Sequence, residues 1–148
     1  MDWLILFLVS WVIFILLVDW KSLKVNIWSG LLAIALQQII DTQALHHNFY
    51  DVRNYYVSIM GSSLLFIIGP VFTIGTLLAQ YHPGTRRLRI INVFALGLLY
   101  SLQELLLLIR GDVIYNNWHY IDSVQINISV MIILSWFTMM VLKKKEGK

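Results

Sequence analysis

The stretch IINVFALGLLYSLQELLLLI, Ile90 to Ile109, decides the fold: twenty residues carrying one charged side chain, Glu104. A helix rises 1.5 Å per residue, so the run covers ~30 Å, the thickness of a bilayer's hydrocarbon. Arg110-Gly111 closes it, and a further apolar run follows from Ile121 to Leu142. Upstream, Pro83-Gly84 and Arg86, Arg87 and Arg89 separate it from a run over Tyr55 to Tyr81. Before that lie Val25 to Leu45 and, across Asp19-Trp20-Lys21, Trp3 to Val18. In lipid the backbone must satisfy its own hydrogen bonds, and these runs are too long and too little alternating for barrel strands. The expected fold class is therefore all-α: a polytopic membrane protein, a bundle of five transmembrane helices. The spans fall at 3–18, 25–45, 55–81, 90–109 and 121–142, in a single transmembrane domain over residues 1–148.

Composition points the same way. A chain of 148 residues that is 59% hydrophobic and 13% charged, with mean hydropathy +0.74, holds more apolar side chain than one small soluble core encloses. Five spans leave no room for a soluble domain. The absence of cysteine removes disulfides, thiolate nucleophiles and Cys-ligated metals. The basic balance, net +3, sits in short connections between apolar runs, which assigns it to membrane orientation and not to nucleic acid. The first run lacks a basic leader and a small-residue cleavage site, and reads as a retained anchor.

Lysine and arginine orient the bundle. Lys21, Lys24, Arg86, Arg87, Arg89, Lys143, Lys144, Lys145 and Lys148 fall on one side under this alternation, and only Arg53 and Arg110 on the other. The asymmetry predicts an extracytoplasmic N-terminus and a cytoplasmic C-terminus. Trp3, Tyr50, Tyr55, Tyr56, Tyr115, Trp118 and Tyr120 then mark the outer boundary, and Trp20, Trp28 and Tyr81 the inner one. Small residues four apart, Ser29 and Ala33, Ser58 and Ser62, Gly75 and Ala79, Gly97 and Ser101, suit close helix packing.

A carboxylate inside a span is costly in lipid and by default faces protein or water. Glu104 shares a face with Gly97, Tyr100 and Ser101, about two-thirds of the way towards the outer surface. Gln37, Gln38 and Asp41 share a face near the outer end of the second span. Ser58, Ser62 and Ser63 descend from the outer end of the third, and Asp122, Gln125 and Ser129 form an i, i+3, i+7 stripe on the fifth. The expectation is an outward-facing polar pocket between the second to fifth spans, with Glu104 at its floor. The plainer alternative is that these groups only hold helices in register through mutual hydrogen bonds.

Gly69-Pro70 predicts a kink and a candidate hinge, because the proline removes a donor and leaves the Phe66 carbonyl without its usual partner. His46 and His47 are adjacent and lack the i, i+4 spacing of a helical metal pair, so no metal, cofactor or catalytic residue is assigned. Asn127-Ile128-Ser129 matches a glycosylation pattern but lies within a span.

Asp19-Trp20-Lys21, Gly61-Ser62-Ser63, Gly69-Pro70, and Glu104 with Arg110-Gly111 together give the chain an order of features. In that order it resembles a family of small uncharacterised multi-spanning membrane proteins from Gram-positive, spore-forming bacteria. The resemblance implies a bacterial plasma-membrane location and supplies no reaction, cofactor or catalytic residue. The leading expectation is a non-enzymatic protein of the bacterial inner membrane that binds a small polar ligand, lipid headgroup or partner in the outward cavity. The second is a small transporter or channel component in which Glu104 or Asp41 couples to a proton or cation. A membrane enzyme using Glu104, Asp41 and His46 ranks third, for want of a spacing that pairs them. A structural subunit of a membrane complex is a further alternative. The expected partners are the lipid bilayer, a lipid or small polar ligand, and a membrane protein or second copy; nucleic acid is not among them.

Overall fold

The computed structural model describes residues 2–142, so the C-terminal lysine cluster lies outside the described residues. Helix α1 is Asp2–Leu17, α2 Leu23–His46, α3 Leu64–Gln80, α4 Arg86–Arg110 and α5 Tyr120–Met140. Helices α2, α4 and α5 are long and apolar enough to cross a membrane; α1 and α3 are shorter apolar helices. The outward face of α4 is hydrocarbon, with Leu98, Leu102, Leu106 and Ile109 all exposed.

Successive helices run antiparallel, and side-chain bonds fix which ends meet. Gln80 Nε2 and the Tyr81 hydroxyl, at the end of α3, each donate to the Leu17 carbonyl at 2.7 Å, and the Asp19 amide donates to Gln80 Oε1 at 2.8 Å. His82 meets Ser135, in the last third of α5. Lys21, Lys24 and Arg86 to Arg89 therefore share one end of the bundle. At the other end Trp3 Nε1 donates to the Arg53 carbonyl. Asp19, exposed in the first turn, is held below the usual carboxylate range by the amide of Lys21 and the hydroxyl of Ser22.

Small residues let α2 and α3 approach closely, as their spacing predicts. A Cβ at Gly75 would lie 2.6 Å from Ala33 Cβ and 2.9 Å from the Ser29 carbonyl oxygen, so the contact is backbone on backbone. Gly97 meets α5 in the same way, with Ile128 Cγ1 2.9 Å from where its Cβ would be. Against α3, α1 adds an aromatic cluster of Trp11, Phe14 and Phe72.

The third predicted span is corrected at its N-terminal end. Residues 55–63 are not helical. Strands β2 (Ser58–Ile59) and β3 (Ser62–Ser63) form a hairpin with Ser58 opposite Ser63 and Ile59 opposite Ser62. Its two connecting residues, Met60 and Gly61, have φ of 51° and 89°, values a right-handed helix cannot contain and a two-residue hairpin turn requires. Ser58, Ser62 and Ser63 thus lie on a hairpin, and Ser58 with Ser62 makes no helix-packing pair. The helix begins at Leu64, where Ser63 is extended (φ −68°, ψ 120°). Gly61→Ala discriminates directly. In a helix it would stabilise by about 1 kcal/mol; in this left-handed position, against Leu45, it is expected to cost about 1–2 kcal/mol. Thermal unfolding in detergent reads the sign.

At Gly69-Pro70 the predicted break takes the form of a π-helical turn, Ile67–Val71, in which the Phe72 amide reaches back to the Ile67 carbonyl. The other unforeseen element is a ribbon: β1 (Tyr50–Val52) pairs antiparallel with β4 (Val113–Tyr115), Tyr50 opposite Tyr115. Gly111, left-handed at φ 77°, turns the chain from α4 into β4.

Candidate functional site

The ribbon and the hairpin cap the bundle end remote from Lys21 and the arginines, and beneath them lies a cavity of about 60 Å³. Room of that size holds a few water-sized groups. Two carboxylates face it, Asp41 from α2 and Glu104 from α4.

Asp41 is 5% exposed and accepts three hydrogen bonds from neutral donors. Gln37 Nε2 (2.7 Å) and the Tyr50 hydroxyl (2.5 Å) reach Oδ1, and the Ser62 hydroxyl reaches Oδ2. Gln37 and Asp41 are one turn apart on α2, while Tyr50 and Ser62 are delivered by strands. Gln37 extends the network by accepting from the Tyr100 hydroxyl at 2.9 Å.

Glu104 is half-buried and also accepts three. The Tyr115 hydroxyl (2.6 Å) and Ser123 (2.7 Å) reach Oε1, and Asn127 Nδ2 (3.0 Å) reaches Oε2. Asn127 donates as well to Ser101 Oγ at 3.1 Å, and Trp118 Nε1 donates to Ser123 at 2.7 Å. Burial, then the nearby carboxylates, push the Tyr50 and Tyr115 hydroxyls well above the ordinary value of 10.0, Asp41 acting chiefly on the first and Glu104 on the second. A raised value makes their contribution to stability complete below the ordinary phenol range and lost only as pH rises beyond it. Both stay donors at neutral pH.

Of the residues singled out in the sequence, Gln37, Asp41, Ser62, Ser63, Tyr100 and Glu104 line the cavity. Ser101 stands behind the wall, tied to it through Asn127. Three do not join them. Gln38 is half-buried outside the cavity, and its amide has no hydrogen-bond partner among the described residues. Asp122 accepts from the His119 amide at 3.1 Å at the start of α5, and Gln125 is exposed. The predicted stripe on α5 therefore faces away: the inward face carries Ser123, Asn127 and Met131, because Asp122 is consumed in capping its own helix.

Sequence reasoning missed Trp3, Tyr50, Trp118, Ser123 and Asn127 on the cavity wall, and Tyr115 behind it. Ser123 and Asn127 carry a readable i, i+4 signal; the aromatic residues of the connections have none without the ribbon's register. His46 and His47 stand at the end of α2, ring centroids 5.1 Å apart, with His47 stacked on Phe49 and Phe49 on Trp118.

The sequence matches no protein-family model, and comparison with curated proteins and with solved structures finds no match.

Proposed function

We propose that the chain is a multi-pass protein of a bacterial plasma membrane, crossing it five times with its N-terminus outside. In this reading it binds a small polar ligand or lipid headgroup, without chemistry, in a cavity open to the extracytoplasmic side. One observation carries the reading: two carboxylates on different apolar helices converge on one cavity, each held by three neutral donors. Charged groups on membrane-spanning helices are costly, and a preorganised acceptor pair is what a ligand would require of the site. The five-span arrangement is supported by the antiparallel helices and by Lys21, Lys24, Arg86, Arg87 and Arg89, which share the end opposite the cavity, against Arg53 and Arg110 beside it. Helix α3, of 17 residues, meets the short limit of a crossing, and α1, of 16, falls one residue below it.

Native mass spectrometry of the chain released from its membrane is expected to find one bound small polar molecule that Glu104→Gln loses. Identical spectra without bound mass in both proteins would refute the reading.

The π-turn at Ile67–Val71 favours transport as the second reading, since π-turns and proline breaks concentrate where membrane helices serve a function. Helix α3 would then flex at Pro70, with Glu104 or Asp41 coupling to a proton or cation. Solute flux in proteoliposomes that vanishes with Glu104→Gln would establish it.

A further inference from the structure

Two features of the cavity wall go beyond the pair of carboxylates. Ser63 is 1% exposed, lines the cavity, and its Oγ has no hydrogen-bond partner. Ser29, Thr42 and Thr73 also have buried hydroxyls without a partner, but of the four only Ser63 lines the cavity, where an occupant can supply the missing bond. Five aromatic residues, Trp3, Tyr50, Phe66, Tyr100 and Trp118, share the remaining wall with aliphatic and neutral polar ones. Among the described residues no Lys, Arg or His lines it.

We propose that the cavity receives a primary ammonium group, carried either by a free small amine or by the headgroup of an aminophospholipid. The inference rests on reading the cavity as a ligand site.

Acceptor capacity argues for it. A carboxylate oxygen offers two lone-pair sites. Asp41 Oδ1 is filled by Gln37 and Tyr50, and Glu104 Oε1 by Tyr115 and Ser123, whereas Asp41 Oδ2 and Glu104 Oε2 each receive one bond. With Ser63 Oγ, at least three oxygens on the wall keep acceptor capacity, enough for the three N–H donors of a primary ammonium. The aromatic residues among the lining suit the same group, since aromatic rings attract organic cations.

The lining disfavours other ligands. A hard metal cation seeks roughly six oxygens around it, whereas ten of the wall residues are aromatic or aliphatic. An anion would find acceptors where it needs donors, and a neutral solute would bring no positive charge to the two acids.

The test uses the full chain in nanodiscs of phosphatidylglycerol, following tryptophan fluorescence, to which Trp3 and Trp118 on the wall contribute. Ethanolamine is expected to give a saturable change that equimolar ethylene glycol, its uncharged isostere, and sodium chloride do not. Ser63→Ala is expected to weaken the response about tenfold, as loss of a hydrogen bond to a charged group does, with the melting temperature unchanged because Ser63 gives up no partner.

Nanodiscs that also contain phosphatidylethanolamine separate the two sources. Loss of the ethanolamine response there identifies the lipid headgroup as occupant, and a retained response identifies the free amine. A saturable response to sodium or ethylene glycol but not to ethanolamine would overturn the ammonium assignment and leave the ligand site standing. No response to any solute in either disc would overturn both.

Discussion

Asp41→Ala is expected to lower the stability of the detergent-solubilised protein by about 3 kcal/mol, roughly 1 kcal/mol for each donor it orphans. The Gln37 amide and the Tyr50 and Ser62 hydroxyls converge on this one carboxylate from a helix and two strands. At 5% exposure Asp41 is the more deeply buried of the two carboxylates, so fewer waters can take its place. The loss spreads, because Gln37 also holds Tyr100 and Tyr50 anchors the ribbon against α2. Glu104→Ala provides the comparison. It orphans the same number of donors, but Glu104 is half-buried, so water can reach them and the expected cost falls to about 1 kcal/mol. Equal losses in the two variants, read by thermal or denaturant unfolding, would contradict this division between a structural and an accessible carboxylate.

Gly75→Leu is expected to be as damaging, by about 3 kcal/mol or more, for a different reason. Its Cβ would meet Ala33 Cβ at 2.6 Å, the Ser29 carbonyl at 2.9 Å and Gly30 Cα at 3.0 Å. Two of these are backbone atoms that no rotamer change can move, so α2 and α3 must separate and lose contact along their length. Leu31→Ala, on the exposed face of α2, is the control and is expected to change stability by less than about 0.5 kcal/mol. A folded, undiminished Gly75→Leu protein would mean that α2 and α3 do not cross here.

Much of this architecture is readable from residue spacing, and the failures have specific causes. The helical runs, the turn at Pro83-Gly84 and the convergence of Gln37, Asp41, Tyr100 and Glu104 follow from apolar run length and the 3.6-residue period. The segment from Tyr55 to Ser63 misleads because Tyr55, Tyr56, Val57, Ile59 and Met60 extend an apolar run that hydropathy alone assigns to the helix. Gly61 is the sole local clue to the turn. On α5 the phase is ambiguous, since the helix is apolar nearly all round and carries two polar sets, Asp122-Gln125-Ser129 and Ser123-Asn127, either of which fits one face. Tertiary contacts with Glu104 choose the second. Tyr50 and Tyr115 depend on pairing between segments more than sixty residues apart, a register that neither strand specifies by itself.

The position of the cavity relative to the membrane is most directly tested by single-cysteine labelling, for which a chain without native cysteine is already suited. Tyr56→Cys lies on the exposed connection beside the cavity, and Arg87→Cys on the exposed first turn of α4 at the opposite end. In intact cells a membrane-impermeant maleimide should modify position 56 at once and position 87 only after the membrane is permeabilised. Labelling of position 87 from outside, with position 56 protected, would invert the topology and turn the carboxylate cavity towards the cytoplasm.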